Sequence, residues 1–526
     1  MRSVIFGVDG LTFRILNPLI EQGSLPNFRK LREAGCEAVL ESKYPPLTPA
    51  AWTSLSTGLK PAGHGVYDFW EYEEPQERGT ARKSHVQTHR KGGKAIWNIL
   101  SEFGKQVLVI NVPVTYPPEP VNGIMVSGYM TPSTHVDFTF PAAFKDELFR
   151  AVPDYEIDVD LRGIFCGQVE KEKDPLVDAV LRMTERRIDL TMHLLREKPW
   201  DFCYVAFVGA DRLQHSLWDD IIALDKRAIE YYELLDHGLG LIMELLGPED
   251  TLFVVSDHGF QGAKRLFDIN EYLYSKGLLK LADSKQHDKG ARKKNLKLRL
   301  KRLGLLSLAR KVAGGVRNVG LVKKMEVDDV YQPILNDVDW LRTEAYVPSV
   351  SGYGGGYADI FLTNDLSAER VAELCADLKS QIDPLTGQPL VEALYTTEAY
   401  GSGPYAPPEP HILILPTDGI TFPMSFGNKD LWDSTSRTRG THQKDGVLYA
   451  YGGGLKRGFK APNAEIYDLV PTILRSMCLP APCAFDGRIL DELFLESKKD
   501  EHLAGAASGG AAGGNARRKL QKLLEE

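Results

Sequence analysis

Residues 252–259, with the sequence Leu-Phe-Val-Val-Ser-Asp-His-Gly, constrain the fold of this chain more than any other stretch. The apolar first half is typical of a strand buried inside a parallel sheet. The second half changes at once to Asp257 and His258, and Gly259 is expected to let the backbone turn sharply. Because ligands of open α/β sheets gather at the carboxyl ends of strands, this carboxylate and imidazole predict a divalent metal site. An isolated Asp-His-Gly would more simply be a capped loop.

Other segments repeat this arrangement of an apolar strand followed by a metal-ligand side chain. The first strand of the chain ends in Asp9, and a strand near residue 205 is followed by Asp211 and His215. One helical turn separates the latter two residues, so both would lie on one face of a helix. His442 directly precedes a further strand. With Asp257 and His258, these side chains supply six ligands, enough for two metal ions with open coordination positions.

Thr48 is the candidate nucleophile. Pro49 follows it, and this order predicts a helix N-cap with proline at the first helical position. The Thr48 hydroxyl would then lie at the positive end of a helix, beside free N–H groups that can bind a phosphate or another anion. The simpler interpretation is a capping threonine without further function. A metal ion beside Thr48 would lower the pKa of its hydroxyl and make it a nucleophile.

The composition limits the class of protein. Hydrophobic residues make up 43% and charged residues 25% of the 526 residues, as in ordinary soluble globular proteins. The formal net charge of -8 gives no sign of nucleic-acid binding. Neither a signal peptide nor a transmembrane segment is recognisable. The cysteines form neither a disulfide framework nor a zinc motif, which favours reduced thiols and a cytoplasmic location.

The order of predicted elements indicates one α/β catalytic domain that is interrupted by an insertion. Residues 1–270 and 350–495 would form the catalytic domain, with 271–349 as a basic cap or insertion and 496–526 as a flexible tail that ends in a short helix. Within the insertion, 293–324 is strongly basic. This segment is open to three interpretations: a lid that faces the substrate, a patch that contacts a membrane surface, or a solvated helical excursion.

Together these segments resemble the alkaline phosphatase superfamily, and within it the type I phosphodiesterase/nucleotide pyrophosphatase-like branch. The resemblance spans about residues 3–275 and 405–492. The motifs that carry it are Val8-Asp9-Gly10, Pro46-Leu47-Thr48-Pro49, Ser56-Thr57-Gly58, His64-Gly65, Asp211 with His215, Ser256-Asp257-His258-Gly259, Thr441-His442 and Asp486-Gly487-Arg488. It implies an alkaline-phosphatase-like core, in which helices flank a mostly parallel central sheet, with an inserted cap region.

The resemblance also implies how the ligands are divided between two divalent metal ions, usually zinc and sometimes manganese. One ion would be held by Asp9, Asp257, His258 and the Thr48 oxygen. The other would be held by Asp211, His215 and His442. Thr48 would attack phosphorus and form a phospho-threonine that water then hydrolyses. Arg82, Lys83, Arg90 and Arg439 are open to two interpretations, as contacts to the phosphate or as ordinary surface charges.

The expected function is therefore two-metal hydrolysis of a phosphoester, on a small-molecule or lipid-linked substrate, by a phosphodiesterase or pyrophosphatase. The alternatives are a phosphomonoesterase or phosphomutase of the same superfamily, and a metal-stabilised binding protein without turnover. No asparagine lies between Thr48 and Arg90, where the nucleotide pyrophosphatases of the family have one, which argues against nucleotide substrates. The Thr48 segment also lacks the Cys/Ser-x-Pro-x-Arg pattern of sulfatases. The sequence does not decide the oligomeric state.

Overall fold

The computed structural model describes most of the chain outside the basic insertion and the tail. The described residues are 1–42, 45–72, 83–85, 92–159, 169–281, 338–339, 341–347, 356–362, 366–396, 401–406, 411–422, 430–433 and 439–496. The basic segment 293–324, the tail from 497 onwards, Arg82 and Arg90 therefore lie outside the described residues. None of the helices in the described ranges is long and apolar enough to cross a bilayer.

The described residues form 21 strands and 12 α-helices. The strands are β1 (Ser3–Val8), β2 (Cys36–Glu41), β3 (Trp70–Tyr72), β4 (Lys83–His85), β5 (Val107–Ile110), β6 (Gly123–Val126), β7 (Thr139–Phe140), β8 (Phe202–Phe207), β9 (Thr251–Val255), β10 (Gly259–Gly262), β11 (Arg265–Phe267), β12 (Ala345–Tyr346), β13 (Ala358–Leu362), β14 (Val391–Thr396), β15 (His411–Pro416), β16 (Ile420–Thr421), β17 (Trp432–Asp433), β18 (Gly440–Gln443), β19 (Asp445–Gly452), β20 (Phe459–Lys460) and β21 (Ala464–Glu465). The helices are α1 (Phe13–Gln22), α2 (Pro26–Ala34), α3 (Thr48–Thr57), α4 (Pro61–His64), α5 (Ile96–Glu102), α6 (Phe144–Ala151), α7 (Val169–Glu197), α8 (Gly209–Ile222), α9 (Lys226–Leu245), α10 (Ile269–Ser275), α11 (Ala368–Ser380) and α12 (Leu469–Ser476).

The largest sheet is mostly parallel, as the sequence predicted. Its order is β20-β2-β19-β9-β1-β8-β5-β6-β7, and β21 also pairs with β2. The five strands from β9 to β6 run parallel to one another, whereas β19 and β7 are antiparallel to their inner neighbours. In this register Val8 lies opposite Phe207, and Gly7 lies opposite Val255. The carboxyl ends of β1, β8 and β9 therefore meet at one edge of the sheet.

Strand β1 illustrates why this sheet is buried on both faces. Val4, Phe6 and Val8 belong to the apolar core on one side, while Ile5 belongs to the core on the other. This alternation follows from the two-residue period of a strand. Helices pack on both faces, so every residue of β1 is buried. The near-continuous apolar sequence of the central strands is the consequence.

A smaller α/β unit follows the main sheet and has its own apolar core. Its antiparallel sheet has the order β12-β13-β15-β14, and helices α10 and α11 contribute to the same core. We call this the accessory unit, comprising the described residues of 265–422. The division of the chain at residue 350 stays a prediction, but β12 and β13, which lie on either side of this position in the sequence, pair with each other in one sheet.

Several local predictions require correction. Leu47, not Thr48, is the N-cap of α3, and Thr48 is its first helical residue. The order Asp174-Pro175 predicts a helix with Asp174 as its N-cap and Pro175 at its first position, but Pro175 lies inside α7. The backbone of Gly259 is not in the left-handed region. A glycine is needed here because the backbone of Asp445 passes very close: a Cβ at Gly259 would lie 2.1 Å from the Asp445 carbonyl oxygen. Neighbouring strands, rather than a turn, therefore demand this glycine.

A buried ion pair ties β11 to the loop after α11. Arg265 donates from Nε and Nη2 to the two carboxylate oxygens of Asp383, at 2.7 and 2.8 Å. The Asp383 side chain is fully buried, whereas that of Arg265 retains a small exposed fraction. These hydrogen bonds lower the pKa of Asp383 to about 2. Such a two-point pair fixes both position and orientation of its partners.

Asp383→Asn is expected to destabilise the protein by about 1–3 kcal/mol at neutral pH, because the Arg265 guanidinium loses its counter-charge. The Asp383 pKa is about 2 in the folded protein and about 3.9 in an unfolded chain. A lowered pKa contributes stability above the unfolded value, and this contribution is lost as the pH falls towards 2. Urea unfolding across this pH range should show that loss in the wild type and not in the variant.

Candidate metal centre

The structure brings all seven predicted site residues together at the carboxyl edge of the main sheet. Asp9 follows β1, Asp257 and His258 connect β9 to β10, and Asp211 and His215 lie in the first turns of α8. His442 belongs to β18, which pairs with β10 beside the turn. Thr48 begins α3. All seven side chains are buried. Aspartate and threonine are mostly exposed in folded proteins, and histidine is intermediate.

His258 is the centre of the first cluster. Its Nε2 atom lies 3.4 Å from Oδ1 of Asp9 and 3.3 Å from Oδ2 of Asp257. The Thr48 hydroxyl lies 3.5 Å from the same nitrogen. The predicted nucleophile therefore points into the group of metal-ligand atoms and not towards solvent.

The second cluster adjoins the first. Oδ2 of Asp211 lies 3.1 Å from Nε2 of both His215 and His442, and the two Nε2 atoms are 3.2 Å apart. The rings of His442 and His258 stack at 3.7 Å between centroids. One set of potential ligand atoms within 4.8 Å of one another combines Asp211 and His442 with His258. The division of ligands between two ions therefore stays a prediction.

Backbone carbonyl groups orient all three imidazole rings. In each ring Nδ1 lies between 2.9 and 3.2 Å from a carbonyl oxygen. The three carbonyl groups belong to Gly259, Pro46 and Gly440. Since a carbonyl oxygen only accepts hydrogen bonds, Nδ1 carries the proton and Nε2 presents its lone pair to the centre. This is the usual support for a histidine that binds a metal ion.

Each carboxylate of the first cluster has one supported oxygen and one without a partner. Trp52 donates from Nε1 to Oδ2 of Asp9, and the Gly10 amide donates to Oδ1 of Asp257, both at 3.1 Å. The remaining oxygens, Oδ1 of Asp9 and Oδ2 of Asp257, have no hydrogen-bond partner among the described residues. Buried carboxylate oxygens of this kind fit a cation. Oxygen and imidazole nitrogen donors together suit zinc and similar ions.

The titration of these groups follows from burial. Burial raises the pKa of Asp9 well above its ordinary value, and the charge of Asp211 adds to this shift. The pKa of Asp257 is raised by burial and by Asp9. Burial lowers the pKa of His258 and His442, so both imidazoles are neutral and can act as ligands. Burial also opposes ionisation of Asp211, but His215, His442 and Arg212 together hold its pKa well below the ordinary value.

Trp52 is a functional residue that the sequence interpretation missed. It lies one helical turn after Thr48 in α3, so both side chains face the sheet. Gly7 makes room for its indole, because a Cβ at Gly7 would lie 2.6 Å from the Trp52 ring. A glycine in the middle of an apolar strand indicates such a close approach, and this was the available signal.

The structure also describes the positions of two other candidates from the sequence, the motif Asp486-Gly487-Arg488 and the basic residue Arg439. The segment Asp486-Gly487-Arg488 closes over the end of α3, where Asp486 accepts a hydrogen bond from the Lys60 amide at 2.7 Å. Arg439 has a half-exposed side chain whose guanidinium lies 3.9 Å from Asp219. The positions of the other basic candidates, apart from the strand residue Lys83, lie outside the described ranges.

A family model for type I phosphodiesterase / nucleotide pyrophosphatase matches residues 3–445. The chain belongs to this family. It is therefore a metal-dependent phosphoric ester hydrolase, as the sequence predicted. The match includes residues 276–404, for which the sequence motifs gave no resemblance. It ends before the motif Asp486-Gly487-Arg488. No curated protein sequence matches the chain.

Solved structures with the same fold support the alkaline-phosphatase-like architecture. Human ectonucleotide pyrophosphatase / phosphodiesterase 5 has a TM-score of 0.53 at 13% identity, over 94% of this chain and 100% of that chain. Phosphonoacetate hydrolase from Sinorhizobium meliloti, in complex with phosphonoacetate, has a TM-score of 0.53 at 15% identity, over 89% and 94%. At these identities the likeness concerns the fold alone.

Trp52→Phe is expected to weaken cation binding by about 10–100-fold, because Asp9 loses the donor that orients its carboxylate. The measurement is a titration of the metal-free protein with Zn²⁺. Trp97→Phe is the matched control, since the Trp97 indole is also buried but donates to Glu119 outside the site. Equal affinities in the two variants would contradict a role for Trp52 at the metal centre.

Cation binding is expected to strengthen as the pH rises. The raised pKa values of Asp9 and Asp257 mean that these two carboxyl groups keep their protons to a higher pH than ordinary aspartates do, and a cation must displace any proton that remains. Each displaced proton makes affinity rise about tenfold per pH unit until the pH passes the raised pKa. Zn²⁺ titrations with a competing chelator between about pH 4, the ordinary pKa of aspartate, and about pH 8 test this, after correction for chelator protonation. An affinity that is constant over this range would contradict the proton release.

Proposed function

We propose that this protein hydrolyses phosphodiesters or pyrophosphates, with Thr48 as the nucleophile and two divalent cations in the site. Membership of the family supports the hydrolysis of phosphoesters. The single observation that carries the role of Thr48 is its hydroxyl, which is buried at the start of α3 and lies 3.5 Å from Nε2 of His258.

The nearby serines support this assignment because the fold already uses their hydroxyl groups. Ser256 precedes the ligands Asp257 and His258, but its hydroxyl donates to the His258 carbonyl. Ser54 lies within α3, and its hydroxyl is 2.9 Å from Nε2 of His64. His64 accepts a hydrogen bond from an amide through Nδ1, so Nε2 carries the proton and donates to Ser54. These two hydroxyl groups are therefore engaged within the fold, whereas the Thr48 hydroxyl lies among the ligand atoms.

The seven site residues would hold two cations, for which we propose zinc, with manganese as the alternative. Such ions supply positive charge to the attacking and leaving oxygens of an in-line displacement. Asp9, Asp257 and His258 would hold one cation beside Thr48, and Asp211, His215 and His442 would hold the other. Their donors are oriented in advance by carbonyl, amide and indole groups, so little reorganisation is needed on binding.

The proposed chemistry has two displacements at phosphorus. Thr48 Oγ1 gives up its proton to solvent and forms a bond to phosphorus. The bond from phosphorus to the leaving oxygen breaks, and the leaving oxygen keeps the electron pair and takes a proton from solvent. A water oxygen then attacks phosphorus and the bond to Thr48 Oγ1 breaks, with one water proton passing to Thr48 Oγ1. This step releases the phosphomonoester that remains of the substrate and restores the threonine hydroxyl. The positive end of α3 would stabilise the phosphoryl oxygens through this sequence.

The substrate class is proposed as a small-molecule or lipid-linked phosphoester. One similar structure is an inactive threonine-to-alanine form of murine ectonucleotide pyrophosphatase / phosphodiesterase 5 in complex with AMP. The absence of an asparagine between Thr48 and Arg90 argues against nucleotide substrates here. We propose a cytoplasmic location on the basis of the cysteines, of which the five described carry free thiols.

Thr48→Ala is expected to lower kcat by at least about 1,000-fold, because it removes the atom that bonds to phosphorus. It should leave the fold and both cations in place. Bis-p-nitrophenyl phosphate and p-nitrophenyl phosphate serve as diester and monoester substrates, and metal content is measured on the same samples. Thr57→Ala is the matched control, since Thr57 is a buried threonine at the other end of α3.

The outcomes separate the candidate functions. A strong preference for the diester supports the proposal, whereas a preference for the monoester favours a phosphomonoesterase or phosphomutase. Cations bound without turnover of either ester would favour the binding protein. Full activity of Thr48→Ala would show that another group is the nucleophile.

A further inference from the structure

Arg212 is a buried arginine next to the metal-ligand residue Asp211, and the proposed mechanism does not use it. Its side chain is 5% exposed. Nη2 donates to Oδ2 of Asp158 at 2.8 Å, and Nε donates to Oδ1 of the same carboxylate at 3.3 Å. Nη1 donates to Oδ1 of Asp211. One guanidinium thus connects two carboxylates, of which only Asp211 belongs to the cluster of ligands.

The guanidinium is held in one plane by further contacts. It lies over the ring of Tyr129, at 4.4 Å from the centroid. Tyr129 in turn packs edge-to-face against Phe69, with 5.9 Å between centroids. A guanidinium that is stacked on one face and paired in its plane with Asp158 has little freedom to rotate.

This arrangement determines which oxygen Asp211 presents to the site. Oδ1 is engaged by Arg212, so Oδ2 is left 3.1 Å from Nε2 of both His215 and His442. Asp9 and Asp257 are supported differently, by neutral N–H donors. The two clusters therefore differ in charge: two carboxylates face the first, and one carboxylate shared with an arginine faces the second. Asp158 offsets the arginine charge, so that Asp211 keeps its attraction for a cation.

We propose that Arg212 and Asp158 are positioning residues for the cation at Asp211, His215 and His442. The pair turns one Asp211 oxygen away from the site and fixes the other towards the two imidazoles. The inference rests on the proposed function, because it concerns one of the two proposed cations. Loss of the pair should weaken the cation at this cluster and leave the cation at Asp9, Asp257 and His258 unchanged.

Arg212→Lys keeps the positive charge but removes the two-point hydrogen bonding to Asp158. The probe is Co²⁺, titrated into the metal-free full-length protein and followed by visible absorption and by calorimetry. The wild type should take up two equivalents. The variant should bind one equivalent as the wild type does and the second about 10–100-fold more weakly, as is usual when the support of a ligand is lost. Unchanged affinity for both equivalents would overturn the proposal.

Two further variants distinguish positioning from the effect of charge alone. Asp158→Asn is nearly isosteric and leaves the Arg212 charge directed entirely at Asp211, so the second equivalent of Co²⁺ should again bind more weakly.

Arg212→Met removes the charge and keeps the length of the side chain. Weaker binding of the second equivalent supports positioning, because Asp211 becomes free to rotate. Tighter binding would mean that the arginine acts only by repelling the cation, and would overturn the proposal.

Arg265→Lys is the matched control, because Arg265 also pairs at two points with a buried aspartate, Asp383, and lies near an aromatic ring. It touches no ligand of the proposed cations, and it should bind both equivalents normally. If Arg212→Lys binds both equivalents of Co²⁺ more weakly, and to the same degree, the substitution has damaged the whole site. This result would count against a positioning role. A wild type that binds no second equivalent would instead refute the two-cation site of the proposed function.

Discussion

The structure depends on the burial of three carboxylates at one edge of a parallel sheet. Transfer of isolated charges out of water is costly, so each buried carboxylate must be protonated, paired or bound to a cation. Asp211 is paired with Arg212, whereas Asp9 and Asp257 each keep an oxygen without a partner among the described residues. The same burial that raises the pKa of these two groups makes them strong ligands once a cation replaces the proton.

The rest of the fold supports this centre from several directions. Helix α3 supplies both the proposed nucleophile and the indole that orients Asp9, while Pro46, just before this helix, orients His442. The accessory unit also takes part. A Cβ at Gly356 would lie 1.9 Å from the carbonyl oxygen of His442, so the chain passes directly against this ligand. Leu47 packs against Tyr357 in the same unit. The accessory unit therefore lies directly against segments that carry or precede site residues.

Much of the fold could be predicted because its signals are local. An apolar run of strand length that ends in a polar residue is visible in the sequence, and β1, β8 and β9 have this form. Errors arose where a neighbouring element decides the local structure. Thr48 before Pro49 satisfies the pattern of an N-cap, yet the helix begins one residue earlier because the site requires the Thr48 hydroxyl among the ligands. Gly259 is required by the passing β19 strand, not by a turn.

The sequence by itself determined which side chains stand near the strand ends, and hence the kind of chemistry, because carboxylates and imidazoles recur beside apolar strands and a hydroxyl stands where a helix begins. Only the tertiary structure decided which atom of each side chain faces the centre. The donors that make this choice come from distant segments: Trp52 is 43 residues from Asp9, and Asp158 is 54 residues from Arg212. Such contacts carry no local periodicity, so they exist only once the sheet has brought the strand ends together.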